Sequence, residues 1–391
     1  MNNLNQKDYI FIYSLLAAII ILGFYLCFIG GYGSDEDTLP MIYVFEAKVY
    51  DGRFVSSRFT GYPVAELGIG FLAYNFGSFA TNSVTYLLFI FGLVLLFCSF
   101  ENEYKINRIL VFIFLCLTNP ILFFDNLEPV DYSWAFFFFA LGAFFFKKNI
   151  FELAVLFFGI SIGVRINYVL FVLVFIILFE TNNQLSIYRR IVLFFSTFII
   201  GGLFYLPIWY DYQFKFSWLT AARPTDQGMI GILARFLYKS YISVGYLSSF
   251  LIFFYMIKKF FLLKKIKNLK LILCLSISNL LIFLWIPAEY SYLQLFLVLL
   301  FLLIYYLSSK YVFYSLCLLN IISWLIFFNP IKIYYYDETY CGPKKAKSIS
   351  LQPKLEKGFY FKYLDSRDKI KCWVYGTSER DIKILNGHSL K

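Results

Sequence analysis

Histidine is almost absent from this chain: its 391 residues include a single one, His388, near the C-terminal end. One terminal histidine argues against a Ser–His–Asp catalytic triad and against a histidine-rich metal site. The sequence also contains no phosphate-binding loop that ends in Gly-Lys-Ser or Gly-Lys-Thr. Any activated group that the protein handles is therefore expected to arrive from a membrane or from outside, and not from a bound nucleotide.

Charged residues are also scarce, at 15% of the chain against about 25% in a typical soluble protein. Hydrophobic residues make up 60%, and the mean hydropathy is +0.70. This composition predicts an integral membrane protein. The formal net charge of +11 does not indicate nucleic-acid binding, because Lys and Arg segregate by membrane side and form no basic domain.

Apolar runs of about 17–25 residues are long enough to cross a bilayer as helices. They predict an all-α polytopic membrane protein with about 11 transmembrane helices. The runs lie at 9–29, 82–100, 109–124, 132–146, 150–164, 166–180, 191–209, 241–257, 271–286, 291–307 and 311–328. The first run lacks a small-residue cleavage site, which predicts a retained helix and not a signal peptide.

Lysine and arginine concentrate in alternate connections between these runs. The densest cluster consists of Lys258, Lys259, Lys264, Lys265, Lys267 and Lys270. Because positive residues favour the cytoplasmic side, the N-terminus is predicted inside and the C-terminus outside. The expected location is a bacterial inner or plasma membrane that the chain crosses many times.

The chain is predicted to divide into a membrane domain, 1–328, and a small extracytoplasmic domain, 329–391. Apolar and polar residues alternate over 359–363 and 370–375, which is typical of strands, so the tail is expected to be a β or α/β domain. An oxidising exterior would allow Cys341 and Cys372 to pair, although their spacing does not decide whether they do. The other cysteines lie in apolar runs and are interpreted as packing residues: Cys27, Cys98, Cys116, Cys274 and Cys317.

An acidic cluster, Asp35, Glu36 and Asp37, follows the first apolar run at the start of the first outer loop, 30–81. Thr38 to Asp51 is predicted to form a short helix along the membrane interface. Acidic residues contribute little to orientation, so membrane insertion does not require carboxylates here. Their place just outside the bilayer indicates catalysis at the membrane face, with solvation of the loop as the alternative.

Three more charged residues lie where predicted helices begin or end on the same side. Asp131 follows a proline at the start of a span and is either a helix N-cap or a second catalytic acid. Arg165 lies between two spans, and it either binds a carboxylate or phosphate or snorkels to the interface. Glu289, before the tenth span, either positions a substrate or pairs with an arginine.

A second outer segment, 210–239, is long enough to contribute to function. It carries Arg235 in an amphipathic half that is expected to lie on the membrane surface or to cover a cavity.

The first outer loop carries Ser34-Asp35-Glu36-Asp37, the segment 47–55 and Arg58-Phe59-Thr60-Gly61-Tyr62-Pro63. These motifs resemble the first outer loop of GT-C glycosyltransferases, in the branch of protein mannosyltransferases and bacterial aminoarabinose transferases. Asp131, the glycines before Arg165 and Pro287-Ala288-Glu289-Tyr290 extend the resemblance over about residues 9–300.

Two features depart from the pattern of that branch. Glu66 stands where related transferases often have an acidic residue before paired prolines, but only Pro63 is present here. The histidine that helps to hold a metal in some members has no counterpart. No cofactor is therefore assigned, and a divalent metal is left open.

The resemblance implies a GT-C-like fold and the transfer of a sugar from a polyprenyl phosphate to a lipid, glycan or protein acceptor. The reaction would occur on the outer face and would invert the anomeric centre. Asp35 would be the general base, with Glu36 or Asp37 orienting it and Asp131 positioning the acceptor. The residues expected to bind substrates are Asp37, Arg58, Glu66, Arg165, Arg235 and Glu289. Arg58, Arg165 and either Arg235 or Lys239 would hold the phosphate.

Two other classes of membrane protein stay open. An O-antigen or capsule polymerase or ligase uses lipid-pyrophosphate donors and arginines in later outer loops, and the segment 210–239 is compatible with it. A lipid or sugar transporter is expected to have internal repeats and charges paired at mid-bilayer, and the sequence shows neither.

Overall fold

In the computed structural model, the chain forms a helical bundle followed by a two-stranded hairpin and a last helix. The structure describes residues 4–32, 38–52, 54, 56–57, 61–101, 105–180, 185–211, 229–264, 266–287, 289–335 and 346–370. The residues of the acidic cluster, Arg58, and the pair Cys341 and Cys372 lie outside these ranges. What the sequence predicts for them stays a prediction.

The first half of the bundle contains α1 (Gln6–Ile29), α2 (Thr38–Asp51), α3 (Pro63–Phe100), α4 (Ile106–Thr118), α5 (Pro120–Phe124), α6 (Asp131–Lys147), α7 (Phe151–Val164) and α8 (Tyr168–Leu178). The second half contains α9 (Ile187–Leu203), α10 (Leu206–Asp211), α11 (Met229–Val244), α12 (Tyr246–Lys258), α13 (Phe260–Leu263), α14 (Leu269–Trp285), α15 (Gln294–Leu307) and α16 (Lys310–Leu325). Two 3₁₀ turns, Asp125–Leu127 and Tyr290–Leu293, lie before α6 and α15.

Each predicted apolar run overlaps a helix or a pair of helices, although the last run, 311–328, ends in strand and not in helix from Ile326 onward. By length and composition, three helices of the described chain can cross a membrane, namely Gln6–Ile29, Pro63–Phe100 and Tyr290–Leu307. Two bent pairs raise that number to five if each pair is one span, and four shorter apolar helices accompany them. The count of about 11 spans stays a prediction.

The first outer loop is more helical than the sequence predicts. Helix α2 has the predicted bounds, but α3 begins at Pro63, well before the predicted span at 82. Gly77 interrupts α3 with φ 76° and ψ −174°, a backbone conformation that only glycine adopts readily. The segment 63–81 is rich in glycine and polar residues, which hid its helical character. Its glycines allow close packing, since a Cβ on Gly70 would lie 2.7 Å from Phe45 Cβ of α2.

The two bent pairs meet inside the bundle. Helices α4 and α5 are bent by 98° at Asn119, and α11 and α12 by 88° at Gly245. Asn119 caps α5 by accepting a hydrogen bond from the Leu122 N–H at 3.0 Å, and its amide donates to the Ser243 carbonyl at 3.0 Å. Gly245 has φ +91°, which an L-residue rarely adopts. One asparagine thus ties both breaks together.

Residues that the sequence places on one side of the membrane meet in the structure. At one end of the bundle, Asp8 Oδ2 of α1 lies 2.8 Å from Lys310 Nζ of α16. At the same predicted side, Glu101 and Arg108 pair at 3.7 Å. The orientation of these ends in the membrane stays a prediction. Most buried apolar side chains form one cluster through the bundle, and the cysteines of the described chain lie in helices as free thiols.

The tail begins with an antiparallel hairpin, β1 (Ile326–Tyr335) and β2 (Ala346–Lys357), and continues in helix α17 (Phe359–Ile370). The predicted strand at 359–363 is wrong, because this segment is helical. Phe359 and Tyr363 are four residues apart and therefore share one helix face. Tyr363 is buried, and its ring centroid lies 5.6 Å from that of Phe124, so α17 packs against α5.

Candidate functional site

Asp131 and Arg165 lie at adjoining ends of two consecutive helices. Asp131 is the first residue of α6, and Arg165 directly follows the last residue of α7. Arg165 Nη1 donates to Asp131 Oδ2 at 2.6 Å, and the two side chains are 2% and 0% exposed. A carboxylate is favoured at a helix N-terminus and a cation at a C-terminus. The prediction that Arg165 needs an anionic partner at this depth is met by a carboxylate.

Three tyrosine rings surround the Arg165 guanidinium. Its Cζ atom lies 3.8 Å from the ring centroid of Tyr132, 4.7 Å from that of Tyr292 and 5.0 Å from that of Tyr62. The rings come from α6, from the turn before α15 and from the residue before α3. Cation–π attraction is strongest for a desolvated cation, so this tyrosine cage, Tyr62, Tyr132 and Tyr292, attracts Arg165 in addition to Asp131.

Glu289 belongs to the same group of side chains through Tyr132. The Tyr132 hydroxyl donates to Glu289 Oε2 at 2.5 Å. The rings of Tyr132 and Tyr292 also meet edge to face at 5.3 Å. Of the two roles considered for Glu289, direct pairing with an arginine is not what these contacts show, since Tyr132 lies between Glu289 and Arg165.

Glu66 joins the first outer loop to the start of α3. Its Oε1 accepts hydrogen bonds from the Ser57 N–H at 2.9 Å and from the Ser57 hydroxyl. Its side chain is buried, in the first turn of α3 where a negative charge is favoured. Glu66, Arg165 and Asp131 all interact electrostatically with Tyr205, which places them in one neighbourhood. Glu66 therefore ties Ser57 to the first turn of α3, next to Tyr62.

Helix α11 carries two cations, Lys239 and Arg235, on the side of the site where Glu289 and Tyr290 lie. Lys239 Nζ lies 4.9 Å from the ring centroid of Tyr290, and its charge interacts with Arg235, Glu289 and Asp125. Arg235, one turn earlier on α11, is partly exposed. Arg235 lies within α11 and Arg165 at the end of α7, so the two arginines approach the site from different elements.

A narrow crevice opens beside Tyr132. The Ser291 hydroxyl donates to Asp125 Oδ2 at 2.8 Å, and the Gln294 amide donates to Asn126 Oδ1 at 3.0 Å. The lining residues are Ile121, Leu122, Asp125, Asn126, Val130, Tyr132, Ser291 and Gln294. The crevice connects the 3₁₀ turn before α6 with the turn before α15, which are the turns that flank the site.

The described part of the chain contains no set of side chains suited to bind a divalent metal. Within it, no group of three or more His, Cys, Asp or Glu side chains lies close enough to hold an ion. The carboxylates contact an arginine, tyrosines and serines instead. No metal-dependent step is proposed for these residues.

The structure thus brings Asp131, Arg165, Glu289 and Glu66 to one end of the bundle, with Arg235 on the adjacent helix. Sequence reasoning missed the tyrosine cage. Tyr62 precedes Pro63 and Tyr132 follows Asp131, each at a helix end, but with 33 tyrosines in the chain this signal is weak, and Tyr292 carries no such signal.

Comparison with known proteins places the fold. No family model and no curated protein sequence matches the chain. The crystal structure of ArnT from Cupriavidus metallidurans in the apo state is similar to it, with a TM-score of 0.53 and 11% sequence identity over 78% of this chain and 61% of that chain. The chain thus spans about three fifths of the length of that protein. At this identity the likeness concerns the fold alone: the chain has a fold similar to that of ArnT, and its apolar helices indicate an integral, multi-pass membrane protein.

Proposed function

We propose that this protein is a membrane glycosyltransferase that moves a hexosyl or pentosyl group from a polyprenyl-phosphate donor to an acceptor on the extracytoplasmic face. The acceptor is a lipid, a glycan or a protein. The GT-C-like fold supports the general class. The observation that carries the proposal is the buried guanidinium of Arg165, which the helix ends α6 and α7 hold beside a carboxylate at the predicted outer end of the bundle.

The reaction balances without a nucleotide or a redox partner. A hydroxyl oxygen of the acceptor attacks the anomeric carbon, the bond from that carbon to the phosphate oxygen breaks, and polyprenyl phosphate leaves. The proton of the hydroxyl passes to Asp35, with Glu36 or Asp37 orienting the base; such a base contributes about 10²–10⁴-fold. Direct attack with one phosphate as leaving group inverts the anomeric centre.

The negative charge that develops on the leaving phosphate requires cations. Arg58, Arg165 and Arg235 are assigned to it, because preorganised charge in a site shielded from water stabilises a transition state strongly. Asp131 is assigned to the acceptor, and Glu66 and Glu289 to shaping the donor and acceptor sites. The membrane supplies the donor directly, since its polyprenyl chain lies among the lipids.

The proposal is tested by mass spectrometry of surface glycans and lipid-linked sugars from a deletion strain. The strain is complemented with the wild-type protein, with Asp35→Asn or with Glu180→Gln, a control that removes an exposed carboxylate outside the site. We expect one sugar to disappear in the deletion strain while its polyprenyl-phosphate donor accumulates. Wild type and Glu180→Gln should restore it, and Asp35→Asn should be expressed normally and fail.

A lipid or sugar transporter is the second candidate, and the two bent helix pairs favour it. Transporter sites are often formed by discontinuous helices whose broken ends line the substrate path. The breaks at Asn119 and Gly245 lie together in the bundle. Full restoration of the glycans by Asp35→Asn would contradict the transferase mechanism and favour transport.

A further inference from the structure

The Arg165 guanidinium is neutralised but keeps hydrogen-bonding capacity. Its Nη1 binds Asp131, whereas Nε has no hydrogen-bond partner among the described residues, although the side chain is 2% exposed. A guanidinium carries five N–H donors in a rigid fork that matches the oxygens of a phosphate or a carboxylate. A buried donor without a partner is costly. This edge of Arg165 is therefore suited to receive an anionic ligand.

The tyrosine cage keeps Arg165 in place when its anionic partner changes. The three rings come from different elements and lie within 3.8–5.0 Å of the guanidinium carbon. Tyr132 is itself fixed by its hydrogen bond to Glu289. The position of the cation therefore does not depend on the Asp131 carboxylate alone.

We propose that Asp131 is a resident counter-ion, which the phosphate of the lipid-linked donor displaces from Arg165. The inference rests on the proposed function and adds to it the order in which the donor and the acceptor bind. A phosphate at the Nε edge adds negative charge beside the Asp131 carboxylate, and one buried cation does not neutralise both anions. The Asp131 carboxylate therefore becomes available to the acceptor only after the donor has bound. No covalent bond changes in this step; two anions exchange places on one guanidinium.

The proposal predicts the sign of a binding change. If Asp131 competes with the ligand, Asp131→Asn removes the competitor and strengthens phosphate binding. If Asp131 serves only to hold Arg165 in place, the same substitution weakens binding. Asparagine has nearly the shape of aspartate and still accepts a hydrogen bond from Arg165, so the comparison isolates the charge.

The experiment uses the full-length protein in phosphatidylcholine nanodiscs, with farnesyl phosphate as the probe and farnesol as the phosphate-free control. We expect the Kd of Asp131→Asn for farnesyl phosphate to fall at least about tenfold below the wild-type value, which corresponds to about 1.4 kcal/mol. The gain should vanish in the Asp131→Asn/Arg165→Gln double variant. Farnesol should not distinguish the variants.

Asp8→Asn is the matched control for charge. It removes the same negative charge, but Asp8 pairs with Lys310 at the opposite end of the bundle. Because Coulomb interactions weaken with distance, the Kd of this variant should change by less than about threefold. An equal gain in both variants would show a general field effect and would overturn the role of Asp131 as the displaced partner.

A measurement on the wild type covers the case in which Asp131→Asn does not fold. A cryo-electron microscopy structure with farnesyl phosphate should show the distance from Asp131 Oδ2 to Arg165 Nη1 increased from 2.6 Å to beyond about 4 Å, the limit of an ion pair. A bound phosphate with the ion pair intact would overturn the inference.

The outcomes separate this inference from the proposed function. Binding of farnesyl phosphate to the wild type, with unchanged or weaker binding by Asp131→Asn, overturns the displacement of Asp131 and leaves the transferase proposal standing. No binding by either protein overturns the phosphate-linked donor and the inference with it. Tighter binding by Asp131→Asn supports both.

Discussion

Asp131 and Arg165 form a 2.6 Å ion pair that joins the first residue of α6 to the residue that ends α7, and both side chains are almost fully buried. Two desolvated charges at this place compensate each other and the two helix dipoles. Removal of one partner leaves the other charge buried and unpaired, which is strongly destabilising, whereas joint replacement by apolar residues is often neutral.

The stability of the protein should therefore depend on charge balance at this pair. Arg165→Met alone is expected to lower the free energy of unfolding by about 3–5 kcal/mol. The double variant Asp131→Leu/Arg165→Met should recover most of that loss and still be inactive. Unfolding in mixed SDS micelles measures the first effect, and glycan restoration in the deletion strain measures the second. A double variant as unstable as Arg165→Met would show that charge compensation is not the main contribution.

Tyr132 offers a separate test, because its ring and its hydroxyl have different contacts. Tyr132→Phe keeps the ring over Arg165 and removes the hydrogen bond to Glu289. We expect a loss of about 1.5 kcal/mol, as for a hydrogen bond to a charged group. Tyr132→Leu also removes the cation–π contact and should cost about 1 kcal/mol more. Both losses are measured by unfolding, and both variants should need more lipid-linked donor for the same glycan output.

Tyr314→Phe is the control for this series. Tyr314 donates to Asp8 at 3.2 Å at the opposite end of the bundle. Tyr314→Phe also removes a hydrogen bond from a tyrosine hydroxyl to a carboxylate, but it changes nothing near Arg165. The dependence of glycan output on the lipid-linked donor should therefore stay at the wild-type level. A shift in donor dependence equal to that of Tyr132→Phe would mean that lowered stability alone explains the Tyr132 effect.

The helices were predictable from the sequence because an apolar run of membrane-spanning length has few other folds available. Helix α2 was predictable for a different reason, because the mixture of apolar and polar residues between Thr38 and Asp51 is typical of an amphipathic helix. The start of α3 was not predictable in this way, because Gly68, Gly70 and Gly77 dilute its hydropathy. Gly68 and Gly70 lie in close contact with Trp134 and Phe45, and Gly77 adopts φ 76°; only the folded structure reveals these roles.

The site was predictable in its charges and not in its contacts. Asp131, Arg165 and Glu289 are conspicuous in a chain with 15% charged residues. Which anion accompanies Arg165 depends on how α6 and α7 pack, and periodicity holds no information on that. The tyrosine cage combines residues as distant in sequence as Tyr62 and Tyr292, so no local sequence pattern predicts it. The strand prediction at 359–363 was wrong for another reason: Phe359 and Tyr363 fit one face of a helix as well as they fit an alternating strand.

Orientation in the membrane gives a prediction that does not depend on the reaction. An alkaline phosphatase domain fused after Lys391 should be active, because the C-terminus is predicted outside. A fusion after Lys264, in the lysine-rich connection, should be inactive, and green fluorescent protein at the same points should give the reverse pattern. Active phosphatase at Lys264 would place the candidate site on the cytoplasmic face.

Close packing of α7 on α9 should be as sensitive to substitution as the charges. A Cβ on Gly159 would lie 2.5 Å from Ile200 Cγ2, and one on Gly201 would lie 3.2 Å from the Gly159 carbonyl oxygen. Small residues of this kind let membrane helices approach closely. Gly159→Ala should push the helices apart, lower the free energy of unfolding by about 1–3 kcal/mol and reduce glycan transfer, because α7 carries Arg165 at its end.

Gly202, the residue after Gly201 on α9, is the matched control for Gly159. A Cβ at that position meets no atom within 4 Å. Gly202→Ala should therefore be neutral or stabilise the helix by about 0.5–1 kcal/mol, with glycan transfer unchanged. Opposite signs for the same chemical change in the two variants would locate the effect in the contact between α7 and α9. Equal changes in the free energy of unfolding and in glycan transfer for the two variants would contradict this. They would mean that helix propensity, and not the close approach of α7 and α9, determines the effect of these glycines on the position of Arg165.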